Sequence, residues 1–220
     1  MSARLPRVAV VDYGLGNLFS VQRALERCAL SVEVTSRAAE IRSADAVVLP
    51  GVGSFGYAMQ TLRDLGLVAA LRDYALAGRP VVGICLGLQL FFSRSFEFGE
   101  HEGLGLIEGE VRALQPGMPG FKVPHVGWSR ILPAGAGVRP WSDSLLENVP
   151  AGAYMYFVHS FHAVPSDPSV VLAHARHGLQ TYCAAIQQGN VFACQFHPER
   201  SGEAGLNLYR ALADRLRKAG

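Results

Sequence analysis

Short runs of wholly apolar residues alternate with segments of helical periodicity in the first half of the chain. Residues 8–11, 46–49 and 80–84 are such runs, and each has the length of one buried strand. Strands that are apolar on both faces need cover on both sides, and the connecting helices of a parallel sheet provide it. The pattern therefore predicts an α/β fold with a central, mostly parallel sheet flanked by helices.

The segments between these runs carry apolar side chains at helical spacing. Asn17 can cap a first helix, whose apolar stripe is Leu18, Val21, Leu25 and Cys28. A second helix is predicted to end before Gly78 and Pro80, with an apolar stripe that consists of Leu62, Leu65, Val68, Leu71 and Tyr74. Residues 86–92 also have helical character and follow the third strand directly.

Beyond residue 104, glycine and proline are frequent and the apolar runs lie closer together. These runs cover residues 121–123, 155–158, 170–173, 182–186 and 191–196. Residues 187–190 separate the last two runs like a hairpin loop, so this half is predicted to be rich in strands and partly antiparallel. A final helix is expected over residues 205–218, with an apolar side formed by Leu206, Tyr209, Leu212 and Leu216.

The composition fits a single globular domain over residues 1–220. Half of the residues are hydrophobic and 17% are charged, which supplies a large core and does not sustain disorder. The formal net charge of +2 makes nucleic acid and anionic membranes poor candidate partners. No apolar run approaches the ~18 residues of a membrane span, and residues 1–7 lack the design of a signal peptide. We therefore expect a cytoplasmic protein.

The cysteines have to be judged as lone thiols. There are four, with neither close pairing nor a Cys-x-x-Cys motif: Cys28, Cys85, Cys183 and Cys194. This spacing argues against a disulfide framework and against a zinc site, and we expect neither a metal nor a cofactor. Cys28 belongs to a helical apolar stripe, while Cys183 and Cys194 lie within strand-like runs, so these three are predicted to be core residues.

Cys85 differs from the other three because it stands where the third strand runs into a helix. Gly83 and Gly87 flank it, which relieves crowding in a sharp strand-to-helix turn such as the nucleophile elbow of hydrolases. A thiolate at a helix start is stabilised by the helix dipole and by free N–H groups. Simple packing would be the ordinary role of a buried cysteine, but the two glycines favour a nucleophile. The N–H of Leu86 would then help to bind an oxyanion.

A glycine-rich loop over residues 51–56 fits the Gly-x-Gly-x-x-Gly fingerprint of dinucleotide binding. That fingerprint also requires an acidic residue after the next strand, about 20 residues on, and Asp73 near this offset lies within a predicted helix. The loop is therefore a poor match to a nucleotide site. It is either a set of backbone N–H groups suited to a developing negative charge or a plain tight turn.

A nucleophilic thiol needs a base, and His197 with Glu199 is the best candidate pair. The two residues follow the run at 191–196, and side chains two apart on an extended segment share a face. The imidazole and the carboxylate are therefore predicted to lie side by side. One ring nitrogen would take the thiol proton while the other is held by Glu199, which fixes the tautomer and stabilises the imidazolium.

Two other histidine pairs have a three-residue spacing. They are His159 with His162 and His174 with His177, and both lie in strand- or loop-like sequence. A three-residue spacing brings two side chains to one face only on a helix, so we interpret these residues as solvated or hydrogen-bonded histidines rather than metal ligands.

With these motifs, the chain resembles the class I, triad-type glutamine amidotransferases. The resemblance rests on Gly-Ile-Cys-Leu-Gly-Leu-Gln around Cys85 and on Gln-Phe-His-Pro-Glu-Arg-Ser around His197. Four more segments resemble the glutaminase subunits of imidazole glycerol phosphate synthases of histidine biosynthesis, and they cover residues 12–18, 49–56, 124–128 and 156–161. These matches follow in order along nearly the whole chain.

The resemblance implies hydrolysis of glutamine to glutamate and ammonia, with Cys85 as nucleophile, His197 as acid and base, and Glu199 as the group that orients His197. It assigns oxyanion donors to Leu86 and to the glycine loop, at Val52 and Gly53. It also assigns substrate contacts, which are Gly51, Gln89, Glu97 and the backbone near Ser160. Ordinary helix and loop polarity is the competing interpretation of Gln89 and Glu97.

The resemblance also implies that ammonia passes to a (β/α)8-barrel cyclase subunit in a heterodimer. The barrel would make imidazole glycerol phosphate and an aminoimidazole carboxamide ribonucleotide, and the family places four positions toward it: Asn17, Trp128, Tyr156 and Arg200. The chain departs from the commoner family pattern at Arg200 where Lys is usual, at Phe161 where Tyr is frequent and at Val126 where Met is common. None of these changes touches the triad.

Two other functions remain open at this point. The chain could be the glutaminase of a different synthase, such as that of pyridoxal phosphate synthesis, and co-purification with a different partner would favour this. It could also be a non-catalytic binding module of the same fold, although the Cys, His and Glu positions are all occupied by the expected residue types.

Overall fold

The computed structural model describes residues 4–135 and 141–219. Residues 1–3, which belong to the N-terminal segment considered above, lie outside this range. The helices are α1 (Leu18–Arg27), α2 (Ala38–Ser43), α3 (Phe55–Asp64), α4 (Leu67–Leu76), α5 (Leu86–Leu90) and α6 (Gly202–Ala219). The first seven strands are β1 (Arg7–Val11), β2 (Ser31–Thr35), β3 (Ala46–Gly51), β4 (Val81–Cys85), β5 (Phe92–Ser95), β6 (His101–Glu102) and β7 (Ile107–Ala113).

The C-terminal half is dominated by strands, as the sequence predicts. They are β8 (His125–Arg130), β9 (Leu132–Pro133), β10 (Tyr154–His159), β11 (Phe161–Pro165), β12 (Val171–His177), β13 (Gln180–Gln188) and β14 (Val191–Cys194). Single turns of 3₁₀ helix cover Pro168–Val170 and Pro198–Arg200. No helix in the described part of the chain has the length and apolar character needed to cross a membrane.

An eight-stranded sheet forms the centre, in the order β2-β1-β3-β4-β14-β13-β12-β9. Five neighbouring strands of this sheet are parallel, namely β2, β1, β3, β4 and β14. The sheet then continues in antiparallel fashion through β13, β12 and β9. This confirms the predicted α/β fold with a parallel centre and antiparallel strands in the C-terminal half. The predicted hairpin at 187–190 joins β13 to β14. A four-stranded sheet, β11-β7-β5-β6, and the two-stranded ribbon β10-β8 complete the structure.

The core has two layers because successive side chains of a strand point to opposite faces. On β1, Val8 and Val10 pack with α1 and α6, whereas Ala9 and Val11 pack with the layer of α3 and α4. Asn17 caps α1 as predicted, since its side-chain oxygen accepts a hydrogen bond from the Ser20 N–H at 3.3 Å. Both faces of the parallel strands are therefore covered, which explains why those strands read as uninterrupted apolar runs.

The structure differs from the sequence prediction in several elements. The single helix expected from Leu62 to Tyr74 is wrong, because Gly66 adopts a left-handed φ of +67° and separates α3 from α4. The strand expected at 121–123 is absent, and Phe121 and Val123 are exposed in irregular backbone. The short helix α2 was not predicted, and neither were the strands β2, β5, β6, β7, β8, β9 and β11, since none of these elements has a long, wholly apolar run.

Close packing fixes the turn from β4 into α5, which carries Cys85. A Cβ atom at Gly87 would lie 1.8 Å from the carbonyl oxygen of Leu49 on β3, and one at Gly83 would lie 2.8 Å from the carbonyl oxygen of Gly87. Only glycine fits at such approaches, because the obstacles are backbone atoms that cannot rotate away. The two glycines that flank Cys85 are therefore needed for α5 to pack against the neighbouring strand.

We expect Gly87→Ala to lower the free energy of unfolding by at least about 2 kcal/mol, because its methyl group overlaps the Leu49 carbonyl. Gly135→Ala is a matched control, since nothing lies within 4 Å of a Cβ atom there and its effect should stay within about 0.5 kcal/mol. Urea unfolding of both variants measures the difference. Equal stability of the two would show that the turn does not need the glycine.

Candidate active site

A cavity of about 240 Å³ opens at the ends of β3 and β4. In parallel α/β sheets, ligands bind outside the carboxyl ends of the strands, and this cavity has that location. The lining residues are Val52, Gly53, Cys85, Leu86, Gln89, Glu97, Pro124, Val158, His159, Ser160 and Phe161. Seven of the predicted site residues are among them, which are Val52, Gly53, Cys85, Leu86, Gln89, Glu97 and Ser160.

Cys85 occupies the sharp turn that the flanking glycines predict. Its backbone has φ +55° and ψ −105°, a conformation that residues other than glycine rarely adopt. Strained backbone of this kind persists where the surrounding packing imposes it, and it clusters at functional sites. The Sγ atom lies 3.8 Å from the Val158 carbonyl oxygen and 3.7 Å from Nε2 of Gln195. The turn thus presents the thiol to the cavity although the residue is almost fully buried.

His197 and Glu199 lie side by side, with 2.8 Å between Nδ1 of the ring and Oε1 of the carboxylate. The expected extended backbone is wrong, however, because Pro198–Arg200 forms a 3₁₀ turn. Proline at the first position of a helical turn has a preset φ and lacks an N–H that would go unpaired there. The Ser201 hydroxyl holds this turn by donating to the His197 carbonyl oxygen at 2.6 Å.

The neighbours of His197 favour the protonated form of its ring. Burial by itself would lower the pKa of His197, but Cys85 and the hydrogen-bonded Glu199 outweigh it and raise the pKa to about 10. Nε2 is buried and has no hydrogen-bond partner within residues 4–135 and 141–219, although Cys85 is close enough to help raise the pKa of the ring. A ring with Nδ1 held by Glu199 and Nε2 turned to a thiol can accept and return a proton.

Gln195 was missed by the sequence analysis. It is fully buried, donates from Nε2 toward the Cys85 sulfur and accepts from Gln89 Nε2 at 3.1 Å. Gln89 also donates to the Phe161 carbonyl oxygen at 2.8 Å, so one chain of hydrogen bonds runs from the cavity wall to the thiol. The signal was the two-residue spacing that linked His197 to Glu199, since Gln195 precedes His197 by the same interval.

Glu97 ties the far side of the cavity to α3. Its Oε2 accepts a 2.5 Å hydrogen bond from the Phe55 N–H, and burial raises the pKa of its carboxyl group.

Gly51 does not line the cavity, because it packs beneath the loop, where a Cβ atom would lie 2.1 Å from the Tyr13 hydroxyl. Gly53 has φ +106°. Asp73 lies in α4 as predicted and is not among the lining residues.

Four other histidines, His125, His159, His162 and His177, contact one another or Tyr182 in one cluster of rings. Nδ1 of His159 bonds to the Phe161 carbonyl oxygen at 2.9 Å, and the ring of His125 stacks on that of His177 at 4.2 Å. Burial lowers the pKa of His125 to about 4 and that of His159 to about 3, so both rings are neutral near pH 7. No group of three or more candidate ligands able to hold a metal occurs in the described ranges.

The remaining pair members are also largely accounted for. His162 bonds through Nδ1 to the Ala163 carbonyl oxygen at 3.2 Å and through Nε2 to Gln180 at 2.9 Å, whereas His177 bonds to the Lys122 carbonyl oxygen at 2.8 Å. His174 is the exception, because its buried Nδ1 lacks a partner among the described residues. Three of these four histidines are therefore hydrogen-bonded, in agreement with their interpretation as solvated or hydrogen-bonded residues.

Three of the four predicted partner-facing residues form one cluster next to His197. Trp128 on β8 and Tyr156 on β10 are cross-strand neighbours with ring centroids 5.9 Å apart, and Arg200 lies 4.2 Å over the Tyr156 ring. Trp128 is 54% exposed, a large value for a tryptophan. Asn17 is exposed at the start of α1 and makes none of these contacts, because its side chain caps the helix.

Known proteins are similar to the chain in both sequence and fold. The family model described as Glutamine amidotransferase class-I matches residues 9–212. The imidazole glycerol phosphate synthase subunit HisH 1 of Legionella pneumophila (strain Lens) is 45% identical over 91% of this chain and 95% of its own length. The HisH subunit of Moorella thermoacetica is 46% identical over 97% of both chains.

Solved structures give the fold independently of close sequence similarity. The structure of PurLQS from Thermotoga maritima aligns with a TM-score of 0.69 at 20% identity, over 97% of this chain and all of the other. The glutaminase domain of Trypanosoma brucei CTPS with bound acivicin aligns with a TM-score of 0.62 at 15% identity, over 97% and 94%. By its family match and its close relatives, the chain belongs to the class-I glutamine amidotransferases and, within them, to the HisH subunits of imidazole glycerol phosphate synthase.

Proposed function

We propose that Cys85, His197 and Glu199 hydrolyse the side-chain amide of glutamine and that the ammonia goes to a cyclase subunit in histidine biosynthesis. The observation that carries the proposal is the buried His197 ring, which Glu199 holds at Nδ1 while Cys85 adjoins it at the mouth of a cavity. The HisH names of relatives about 45% identical supply the pathway.

The first half of the reaction forms a thioester. The thiol proton first passes to Nε2 of His197, because the raised pKa of that ring favours the imidazolium, and the Cys85 sulfur then attacks the amide carbon. The raised pKa of His197 lets the ring keep this proton as an imidazolium until the amide nitrogen takes it and leaves as ammonia. The amide oxygen becomes an oxyanion, and the N–H groups of Leu86 and of the loop at Val52 and Gly53 stabilise it.

The second half returns the enzyme to its starting state. His197, now neutral, takes a proton from a water molecule, whose oxygen attacks the thioester carbon. The carbon–sulfur bond breaks, glutamate leaves and the sulfur regains the proton from His197. Glu199 stabilises the imidazolium in both halves, and the same oxyanion donors serve both tetrahedral intermediates.

The cavity suits a small zwitterion. A glutamine whose amide lies against Cys85 would direct its ammonium and carboxylate groups toward the opposite wall, where Glu97 and the backbone near Ser160 lie. Glu97 supplies the negative charge for the ammonium group. Gln89 contributes by holding the Phe161 carbonyl and Gln195, and Gly51 contributes by keeping the oxyanion loop close to Tyr13.

The cluster of Trp128, Tyr156 and Arg200 is the proposed docking surface for a (β/α)8-barrel cyclase subunit, and the family resemblance adds Asn17 to the partner-facing positions. Aromatic residues and arginine dominate the energetics of protein interfaces. This surface adjoins the catalytic ring directly, since the centroids of Tyr156 and His197 are 6.4 Å apart. Ammonia released at Cys85 would therefore have a short route toward a partner bound there.

We expect Cys85→Ala to reduce glutamine hydrolysis by the assembled complex at least ~10³-fold, because it removes the proposed nucleophile that forms the acyl intermediate. Cys28→Ala is the matched control, since Cys28 is also buried but lies at the end of α1. Release of glutamate is the measurement. Hydrolysis that survives in Cys85→Ala would exclude the thioester mechanism and revive a non-catalytic role.

Glu199→Gln should lower the pKa of His197 from about 10, because the amide accepts a hydrogen bond but carries no charge. Protonation of His197 stabilises the fold fully below its unfolded pKa near 6.5, and this stabilisation is lost as the pH rises through about 10. The variant should therefore lose the most stability below about pH 6.5, less as the pH rises from there, and almost none above about pH 10. NMR titration of the imidazole measures the change, with Glu203→Gln, at an exposed carboxylate, as control.

An unchanged imidazole titration in Glu199→Gln would contradict the assigned role of the carboxylate.

Trp128→Ala should raise the Kd for the barrel subunit at least ~10-fold, because it removes a large exposed ring from the cluster. Leu76→Ala, at an 83% exposed position on α4, is a control that should leave the Kd unchanged. Titration calorimetry with the purified cyclase measures both. A Kd for Trp128→Ala equal to that of the unchanged protein would refute the proposed surface. Tight binding to the barrel of a different synthase instead would refute the proposed partner.

A further inference from the structure

Two buried polar atoms next to the proposed triad lack hydrogen-bond partners. Oε2 of Glu199 and the hydroxyl of Tyr209 are both fully buried and unpartnered within the described parts of the chain. Oε1 of Glu199 is already taken by His197. A buried carboxylate oxygen and a buried hydroxyl each carry a desolvation cost unless they are hydrogen-bonded. Two such atoms of complementary type in one region call for a common explanation.

The packing of α6 brings the two residues together. Gly205 sits directly on the turn that carries Glu199, since a Cβ atom there would lie 2.0 Å from the Pro198 carbonyl oxygen. Tyr209 follows Gly205 by four residues and therefore lies on the same face of α6. Its ring is among the largest fully buried side chains of the protein. The helix face that covers the Glu199 turn is thus the face that carries the Tyr209 hydroxyl.

Electrostatics agree with this placement. Burial raises the pKa of Tyr209 well above its usual value, and the Glu199 carboxylate raises it further. The Tyr209 hydroxyl is therefore neutral at any physiological pH and keeps a proton to donate. Glu199 is close enough to be the largest electrostatic contributor, ahead of Cys194 and Cys28.

We propose that Tyr209 is a positioning residue for the triad, whose hydroxyl donates to Oε2 of Glu199 through one buried water. A carboxylate held at both oxygens cannot rotate, so Oε1 stays on Nδ1 of His197 through both halves of the reaction. Single buried waters bridge unsatisfied polar groups of this kind in many proteins. The inference rests on the proposed function, because it assigns Tyr209 a role only through Glu199.

A plain core tyrosine is the alternative, since Tyr209 also belongs to the apolar side of α6. The two roles predict opposite results for Tyr209→Phe, which keeps the ring and removes only the hydroxyl. If the hydroxyl has no partner, its removal relieves a buried unsatisfied group and leaves activity unchanged. If it donates to Glu199, its removal leaves a carboxylate oxygen unpaired and impairs catalysis.

The test compares kcat and KM for glutamine in the assembled complex, together with the melting temperature. We expect Tyr209→Phe to lower kcat about tenfold with KM changed less than about twofold. The variant loses a hydrogen bond to a charged carboxylate, and that carboxylate does not contact the substrate. Tyr74→Phe is the matched control, since the Tyr74 hydroxyl is buried on α4 and donates to the Ala44 carbonyl oxygen at 3.0 Å. It should leave kcat unchanged.

A double variant shows whether the effect passes through Glu199. In the Glu199→Gln background, Tyr209→Phe should have little further effect on kcat. An unchanged kcat in Tyr209→Phe, or an equal loss in both backgrounds, would overturn the inference. If Glu199→Gln alone leaves kcat unchanged, the proposed triad fails instead, so the two failures are distinguishable.

Discussion

Pairing of β14 with β4 is the interaction on which the site depends. The two strands are parallel neighbours with Cys194 opposite Ile84, so their carboxyl ends reach the same edge of the sheet. This register brings Cys85 next to Gln195 and His197 although more than a hundred residues separate them in sequence. A slip by one residue would turn these side chains to the opposite face, and the sheet prevents it because both strands are buried on both sides.

The predictable part of the fold is the part with strong periodicity. The central parallel strands β1, β3, β4 and β14 followed from apolar runs, and the helices α1 and α6 followed from helical stripes. The cap at Asn17 followed from its residue type. The break at Gly66 did not, because the stripe continues in sequence on both sides of a glycine whose left-handed backbone is visible only in three dimensions. Strand β2 was missed because an edge strand needs few apolar side chains.

The candidate site divides along the same line. The neighbours of Cys85, and the closeness of His197 to Glu199, could be predicted from spacing, although a 3₁₀ turn rather than an extended segment achieves the latter. The same spacing could place Gln195 beside His197, but the roles of Gln195 and Tyr209 could not be assigned, since they depend on burial and on which polar atoms lack partners. Contacts between elements distant in sequence determine these roles, and local patterns carry little information about them.

The account centres on a covalent intermediate at Cys85. Acid quenching of the complex during glutamine turnover, followed by mass mapping of peptides, measures it most directly. A glutamyl adduct should appear on the peptide that contains Cys85 and on none of the peptides that contain Cys28, Cys183 or Cys194. Rapid turnover with an unmodified Cys85 peptide, or an adduct on another cysteine, would contradict the mechanism.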